Sequence, residues 1–187
     1  MGCGKSSVGK ILATLLPECR LIDLDTYIEE KQGKNIPEIF NEYGEAAFRR
    51  MEREALEEIF SDKSRPRAIL SLGGGTVTSE QCRQLIRQHT DCFYLRATTD
   101  TLLDNLEGHS DGRPMLNPTQ PVEAQSTETS SEREALRHRI ESLMQTRSPQ
   151  YLATANHIID IDGLSFTQIA EAVEDNILNI KQQSICL

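Results

Sequence analysis

The stretch Gly2-Cys3-Gly4-Lys5-Ser6-Ser7 near the start of the chain leads directly into a segment with helical apolar periodicity, residues 7–16. Glycines let successive backbone N–H groups approach a phosphate closely, and the amino terminus of a helix adds a positive dipole. Lys5 supplies a charge for the β- and γ-phosphates of a nucleotide, and the Ser6 hydroxyl is an oxygen ligand of the kind Mg²⁺ prefers. The stretch therefore predicts a phosphate-binding loop (P-loop) at residues 2–7.

This P-loop is incomplete at its amino-terminal side. The full pattern G-x-x-x-x-G-K-[ST] would place its first glycine two positions before Met1. In proteins of this type the loop follows a buried strand in the middle of a parallel sheet, so we expect a slot where that strand is absent. Its unpaired backbone groups would each cost about 1–3 kcal/mol if buried. We therefore expect that the natural chain begins upstream, or that Met1 is a mis-chosen internal start or belongs to a truncated form.

Strand-sized apolar runs alternate with helical patterns along the rest of the chain. The runs are residues 21–23, 68–72, 92–95 and 157–161. The helical patterns are residues 7–16, 25–32, 36–43, 45–60, 79–88, 99–107, 132–146 and 165–180. This alternation predicts an α/β fold with a parallel sheet and helices on both faces, in a single domain over residues 1–187. Residues 117–131, rich in Pro, Gln, Ser, Thr and Glu, predict a mobile surface loop.

Composition narrows the classes of function. The net charge of −9 over 187 residues argues against general nucleic-acid binding, and no apolar run approaches the length of a transmembrane helix. The five cysteines form no C-x-x-C pair and no His/Cys cluster, so neither a disulfide framework nor a zinc site is indicated. We expect a monomeric, cytoplasmic protein that acts on small molecules and binds no membrane.

Two carboxylates follow the first apolar run. The stretch Leu21-Ile22-Asp23-Leu24-Asp25 places them two residues apart, so both emerge on the same side at the carboxyl end of the predicted strand. In an open α/β sheet, that edge is where ligands bind. The structural alternative is that Asp25 only caps the helix that follows.

Taken together, these motifs resemble a known family. The P-loop and the Asp23-x-Asp25 pattern are followed by Gly44-Glu45-Ala46-Ala47-Phe48-Arg49-Arg50-Met51-Glu52 and by Ser71-Leu72-Gly73-Gly74-Gly75. This order closely resembles the shikimate kinases along nearly the whole chain. The resemblance implies a three-layer P-loop kinase fold, like that of nucleoside monophosphate kinases, with a mobile lid and without its first central strand here. It also implies transfer of the γ-phosphate of ATP to the 3-hydroxyl of shikimate, a step of aromatic amino acid biosynthesis, with Mg²⁺ as cofactor.

The resemblance assigns roles to the acidic residues and to the P-loop. Residues 2–7 would bind ATP, with Lys5 catalytic. Asp23 would orient, through water, the Mg²⁺ that Ser6 ligates. Asp25 would hold substrate hydroxyls and is the candidate to accept the proton of the attacking 3-hydroxyl.

The resemblance also implies an acceptor site on helices at about residues 25–60. Arg49 would bind the substrate carboxylate through two parallel hydrogen bonds, which a planar guanidinium allows. Glu52, three residues further on the same helical face, would orient Arg49. Gly73, Gly74 and Gly75 would bring backbone N–H groups close to the substrate.

Two further stretches resemble the family in the second half of the chain. Asp111-Gly112-Arg113-Pro114-Met115-Leu116 resembles the start of its lid, which we place at about residues 108–131, and Arg113 would close catalytically over the ATP phosphates. Arg147-Ser148-Pro149-Gln150-Tyr151 resembles a stretch in which the Arg147 position is a second clamp for the substrate carboxylate, and we expect Pro149 to stop the preceding helix. Members of the family often carry an arginine near the adenine, after the last strand. Residues 160–163 contain no arginine, so backbone and apolar contacts, or Asn156, would hold the adenine here.

Other functions stay open on the residues alone. Within enzymes, the alternative is another small-molecule kinase of the same fold, such as a gluconate kinase or a nucleoside monophosphate kinase. From another class, the alternative is an inactive nucleotide-binding protein, which the incomplete P-loop would explain.

Overall fold

The computed structural model describes residues 2–62, 67–106 and 128–183. Within these ranges helices and short strands alternate, and all four strands fall on the predicted apolar runs. The elements are α1 (Lys5–Leu15), β1 (Arg20–Asp23), α2 (Leu24–Gln32), α3 (Ile36–Ser61), β2 (Ala68–Ser71), a 3₁₀ turn (Thr76–Thr78), α4 (Glu80–His89), β3 (Phe93–Arg96), α5 (Thr99–Leu106), α6 (Glu128–Thr154), β4 (His157–Asp160) and α7 (Phe166–Gln183). The predicted α/β class is confirmed.

The sheet layer consists of two parallel pairs. β1 pairs with β2 in a register that places Asp23 beside Ser71, and β3 pairs with β4 so that Arg96 lies beside Asp160. In the described part of the chain, β2 and β3 are not paired with each other. All four strands therefore point their carboxyl ends toward one edge of the layer, but the layer is split in the middle.

The hydrophobic core is divided in the same way. One cluster joins α1, α5, α6 and α7 to the β3–β4 pair and includes Leu12, Leu103 and Ile169. The other joins α2, α3 and α4 to the β1–β2 pair and includes Leu24 and Leu56. The division is not complete, because α1 also contacts β1 and β2, and Ile69 of β2 packs against the first cluster.

A cavity of about 470 Å³ lies between the two halves. Residues 67–72 along β2 and 91–95 along β3 line it, together with apolar side chains of α1, α4 and α7. The cavity therefore lies between the second and third strands of the described chain.

Local sequence explains how the helices near the carboxyl edge begin. The Asp23 side chain accepts hydrogen bonds from the backbone N–H groups of Asp25 and Thr26, so Asp23, not Asp25, caps α2. Asn35 and Glu38 form a capping box at the start of α3. α3 is interrupted at Gly44, whose φ of 77° and ψ of 170° are not helical, which agrees with the two predicted helices on either side.

Two predictions about α6 are wrong. Pro149 does not stop the helix, which continues to Thr154. The missing N–H of Pro149 removes one helical hydrogen bond, but the turn beyond it is fixed by tertiary contacts: the Tyr151 hydroxyl donates to the Gly74 carbonyl, and Thr154 is buried. In addition, α6 begins at Glu128, so the end of the predicted 117–131 loop is helical. No helix in the described ranges combines the length and apolarity needed to cross a membrane.

Candidate active site

The turn Gly73-Gly74-Gly75 after β2 is the meeting point of the predicted acceptor residues. A Cβ on Gly73 would lie 2.8 Å from Asp25 Oδ1 and 3.0 Å from Glu52 Oε1. A Cβ on Gly75 would lie 2.3 Å from Arg49 Nη2. Side chains thus pack directly over the turn, and only glycine leaves room for them.

Ser6 and Asp23 meet at the carboxyl end of β1. The Ser6 hydroxyl donates to Asp23 Oδ2 at 2.8 Å, although the two residues are 17 positions apart. Ser6 is exposed and Asp23 half-buried, so this pair of oxygens is open to solvent. Such a pair fits Mg²⁺, a hard cation that takes oxygen ligands, keeps several waters and needs only one or two protein groups. In the described part of the chain no cluster of three or more His, Cys, Asp or Glu residues forms a complete metal cage.

Asp25 has the electrostatics of a proton acceptor. Its carboxyl lies next to Gly73 and is half-buried. Burial raises the pKa of Asp25 from its ordinary 3.8 to about 6, and the nearby charges of Asp23 and Glu52 act in the same direction. A carboxylate with a pKa near 6 is ionised at neutral pH and is a stronger base than an ordinary aspartate.

Arg49 is fixed by two carboxylates of its own helix. Nη1 donates to Glu52 Oε2 at 2.7 Å and Nη2 to Glu45 Oε1 at 2.9 Å. Glu52 is fully buried, and its other oxygen accepts a hydrogen bond of 2.6 Å from the Thr76 hydroxyl. The buried Nε of Arg49 has no hydrogen-bond partner among the described residues, so a donor remains for a ligand.

Arg147 reaches the same glycine turn from α6. It is only 7% exposed, and its Nη1 lies 3.5 Å from the Gly74 carbonyl oxygen. Tyr151, one turn later, donates to the same oxygen at 2.5 Å. Arg49 beside Gly75 and Arg147 beside Gly74 therefore bring two guanidinium groups to neighbouring residues of one turn.

The P-loop begins α1. Gly4 adopts a left-handed conformation with φ of 74°, and no side chain of the described residues caps the helix after it. Lys5 Nζ lies 3.6 Å from Cys3 Sγ. Burial raises the pKa of the Cys3 thiol, but nearby positive charge, first of all Lys5, outweighs burial and brings this pKa to about 7.

One predicted residue lies away from this site, and another lies outside the described residues. Asn156 precedes β4 and its side chain accepts from the Cys92 N–H, which places it at the amino ends of the strands, opposite the P-loop. The suggestion that Asn156 holds adenine is therefore wrong, because the loop before a parallel strand lies at the far edge from the loop after it. Arg113 and the first part of the predicted lid, residues 108–127, lie outside the described residues.

Sequence reasoning missed two residues of the site, Thr76 and Tyr151. Thr76 follows the triple glycine directly, and Tyr151 stands one helical turn after Arg147. Their closeness in sequence to the predicted residues 73–75 and Arg147 could have indicated that they belong to the site. Their partners, Glu52 and Gly74, are 24 and 77 positions away, which local spacing does not reveal.

A parallel sheet whose first helix starts at a glycine-rich turn, with carboxylates at the carboxyl ends of its strands, defines the class of P-loop kinases. Residues 1–178 match the family "Shikimate kinase". The shikimate kinase of Chlorobaculum tepidum is 37% identical over 180 residues, which cover 94% of this chain and 87% of the relative. The shikimate kinase of Thermus thermophilus is 33% identical over 177 residues, which cover 95% of this chain and 85% of the relative.

Solved structures agree with the sequence matches. The shikimate kinase from Acinetobacter baumannii, in complex with shikimate, has a TM-score of 0.81 at 30% identity and covers 97% of this chain and 90% of that one. The enzyme from Bacteroides thetaiotaomicron has a TM-score of 0.78 at 27% identity, with coverages of 97% and 94%. The chain belongs to the shikimate kinase family, and these matches do not favour a gluconate kinase or another small-molecule kinase.

Proposed function

We propose that the chain transfers the γ-phosphoryl group of ATP to the 3-hydroxyl of shikimate, giving 3-phosphoshikimate and ADP. The observation that carries the proposal is the convergence of Asp25, Arg49 and Arg147 on the Gly73–Gly75 turn. A compact acceptor that bears both a carboxylate and hydroxyl groups complements this set. The family of the chain supports the same acceptor.

The two arginines are suited to the acceptor carboxylate. Guanidinium groups recognise carboxylates through paired hydrogen bonds, and such bonds are strongest where water is excluded. Arg147 is nearly buried, and the buried Nε of Arg49 has no partner among the described side chains. A carboxylate of the acceptor would supply a hydrogen-bond acceptor to both guanidinium groups. Glu52 would then act as a positioning residue for Arg49, and Thr76 as a positioning residue for Glu52.

Asp25 is suited to the acceptor hydroxyl. In the step we propose, the 3-hydroxyl oxygen attacks the γ-phosphorus, the bond from that phosphorus to the β,γ-bridging oxygen breaks, and ADP leaves with the electron pair. The hydroxyl proton passes to Asp25, whose raised pKa favours its uptake. Positioning of the two reactants supplies much of the acceleration in such a transfer.

The donor side rests on the P-loop. We propose that backbone N–H groups of residues 2–7 bind the ATP phosphates and that Lys5 leaves Cys3 to pair with them. Ser6 and Asp23 would hold Mg²⁺, Ser6 directly and Asp23 through water, and the ion would neutralise charge on the transferred group. Arg113, in the predicted lid, remains the side chain that we predict to neutralise the same charge on the transferred group.

A second cavity next to the P-loop is a candidate for the adenine of ATP. It has a volume of about 230 Å³ and is lined by residues of α5 and of the segment from Ile161 to Ile169. The Phe166 ring packs on the P-loop, because a Cβ on Gly4 would lie 2.4 Å from its Cε1. Asn105 of α5 also donates to the Gly2 carbonyl at 2.9 Å. We propose that the base lies in this cavity against Phe166, held by apolar and backbone contacts.

We also propose that the enzyme acts as a monomer in the cytoplasm. Among the described residues, the exposed large hydrophobic side chains are divided over α3, α6, β4, α7 and the loop before α7. Association of these side chains into one interface is not supported by that distribution. Size-exclusion chromatography with light scattering, with an expected mass of 21.0 kDa, tests the monomer.

A coupled assay of ADP release tests the function. Purified protein is supplied with ATP, Mg²⁺ and, in separate reactions, shikimate, gluconate or AMP. The proposal expects turnover on shikimate only. Turnover on gluconate or AMP would replace the proposed acceptor, and absence of turnover on all three, by protein shown to bind ATP, would favour an inactive nucleotide-binding form.

A further inference from the structure

The two carboxylates that bind Arg49 differ in how firmly they are held. Glu52 is fully buried, and its second oxygen accepts a hydrogen bond from the Thr76 hydroxyl, so both of its oxygens are paired inside the protein. Glu45 binds Arg49 Nη2 at 2.9 Å, but its side chain is 49% exposed. Water can replace Arg49 as the partner of Glu45, whereas it does not reach Glu52. Of the two pairs, only Glu45–Arg49 is therefore readily exchanged.

The donors of Arg49 are divided in the same way. Nη1 binds Glu52 and Nη2 binds Glu45, whereas the buried Nε has no hydrogen-bond partner among the described residues. In a guanidinium, the Nε–H and one N–H of Nη2 point in the same direction, and a carboxylate binds this edge through two parallel hydrogen bonds. The edge of Arg49 that suits an acceptor carboxylate thus includes the nitrogen to which Glu45 is bound.

A ligand reaches this edge only if a neighbouring group moves, because Nε is buried. The ring of Phe48 is centred 5.6 Å from Arg49 Cζ, and the backbone of Gly75 lies against the guanidinium on another side. Phe48 and Gly75 are both buried and so have no space into which to move. Glu45, in contrast, has solvent beside it. Its side chain is the one whose displacement would open the edge.

Glu45 can leave Arg49 at a small cost. It directly follows Gly44, whose non-helical backbone interrupts α3, so Glu45 stands in the first turn of the second helical segment. The helix dipole stabilises a carboxylate in the first turn of a helix, whether or not a cation is paired with it. An exposed pair four residues apart on a helix also contributes little to stability. We therefore expect Glu45 to weaken the binding of a competing carboxylate by a few-fold only.

We infer that Glu45, in the acceptor-free enzyme, occupies the place on Arg49 that the carboxylate of the acceptor takes in the complex. Glu52 is then the permanent partner of Arg49, and Glu45 is a built-in competitor of the acceptor. The competition adds specificity, because an acceptor with a carboxylate replaces the charge of Glu45, whereas an uncharged polyol leaves Nη2 paired with Glu45. The inference rests on the proposed function, since it requires an acceptor whose carboxylate binds Arg49.

Glu45→Gln tests the competition. Glutamine keeps the length of the side chain but loses its charge, so it competes less well for Arg49 Nη2. Calorimetric titration with shikimate should give a Kd about threefold lower in the variant than in wild type. The kcat of the variant should stay near that of wild type, because the carboxylate of the acceptor is bound equally before and during phosphoryl transfer.

Two controls distinguish displacement from other effects of the substitution. Glu57→Gln removes the same charge from another exposed pair of α3, in which Glu57 is 47% exposed and binds Arg53 Nη1 at 3.1 Å. This variant should leave the Kd of shikimate unchanged. The methyl ester of shikimate keeps the hydroxyl groups but has no charge with which to displace Glu45. Its Kd should be nearly the same in wild type and in Glu45→Gln.

A Kd of shikimate that is unchanged or higher in Glu45→Gln would overturn the inference, because Glu45 would then support Arg49 instead of competing for it. An equal gain in affinity for the methyl ester would also overturn it, since the gain would not depend on the carboxylate. If neither wild type nor the variant binds shikimate, the proposed function itself fails, and the inference fails with it.

A crystal structure of the shikimate complex tests the displacement directly. The inference expects Glu52 to keep its hydrogen bond to Arg49 Nη1 and Glu45 to lie beyond hydrogen-bonding distance of Nη2. A complex in which shikimate is bound and Glu45 is still paired with Nη2 would contradict the inference and leave the proposed function standing.

Discussion

Arg49 Nη1 and Glu52 Oε2 lie 2.7 Å apart on one face of α3, and Glu52 is fully buried. A buried carboxylate is stable only when its oxygens are paired, and here Arg49 satisfies one oxygen and Thr76 the other. The pair fixes the direction of the guanidinium before any substrate arrives. It is therefore the structural basis of the proposed carboxylate site.

Glu52→Gln should weaken shikimate binding while leaving ATP binding nearly unchanged. The amide keeps the shape of the side chain but loses the charge that holds Arg49, so the KM for shikimate is expected to rise about tenfold, equivalent to about 1.4 kcal/mol. Steady-state kinetics with each substrate varied in turn measure both constants. Glu57→Gln, which removes an exposed partner of Arg53 on the same helix, is the matched control and should change neither constant.

Thr76→Val should reproduce part of this effect. Valine has nearly the same shape, but it leaves Glu52 Oε1 without its hydrogen bond, at a cost of about 1–3 kcal/mol in a buried site. We expect a lower Tm and a raised KM for shikimate. Thr76→Ser should restore both, because it keeps the hydroxyl. A serine variant as impaired as the valine variant would contradict this role of the hydrogen bond.

Arg147→Lys should also act on the acceptor and not on the donor. Lysine keeps the charge but offers no planar pair of donors, so we expect the KM for shikimate to rise about tenfold or more. Calorimetric titration with ADP should give an unchanged Kd. An equal loss of ADP affinity would place Arg147 at the nucleotide instead.

The rate should depend on the ionisation of Asp25. Because its pKa is raised to about 6, kcat/KM for shikimate should fall as the pH drops through about 6. Asp25→Asn should remove most activity at every pH. The residual kcat/KM of this variant should not fall as the pH drops through about 6. A wild-type profile that is flat between pH 5 and 8 would contradict the role of Asp25 as base.

Stability should change with pH in the opposite sense. In the folded protein Asp25 binds a proton up to about pH 6, whereas in the unfolded chain it loses the proton near its ordinary pKa of 3.8. The folded state thus holds more protons in this window, so the contribution of Asp25 to the free energy of unfolding falls as pH rises from about 4 to about 6. Chemical denaturation across this range should show a free energy of unfolding that falls more steeply with rising pH in wild type than in Asp25→Asn.

Phe166→Ala should weaken ATP binding if the base lies in the cavity beside the P-loop. Loss of the ring removes an apolar surface that is 38% exposed and packs on Gly4, so the KM for ATP is expected to rise about tenfold. The KM for shikimate should stay unchanged. Leu178→Ala, an exposed position further along α7, is the control and should leave both constants as they are.

The parts of the site that follow from local spacing were predictable from the sequence. Asp23 and Asp25 stand at the end of one strand, and Arg49 and Glu52 are one helical turn apart, so periodicity alone places each pair together. The identity of the acceptor, shikimate, was predicted from the resemblance to the family and not from the spacing of residues. The strand-helix alternation was sufficient for the fold class.

The remaining features depend on contacts between distant parts of the chain. The helix continues beyond Pro149 because Tyr151 is tied to Gly74, 77 positions away, and Asn156 is at the wrong edge because β4 lies parallel to β3. The role of Thr76 depends on a carboxylate of another element. Tertiary interactions decide the structure at each of these positions. The local patterns of a single sequence do not reveal such long-range contacts.

The most direct test of the central claim is the position of the transferred phosphate. After incubation of the protein with ATP, Mg²⁺ and shikimate, two-dimensional ¹H–³¹P NMR of the mixture identifies the proton coupled to any new phosphate ester. The proposed activity predicts a single ester coupled to the proton on carbon 3, formed in proportion to ADP. An ester on another hydroxyl, or ADP formed without any ester, would contradict it.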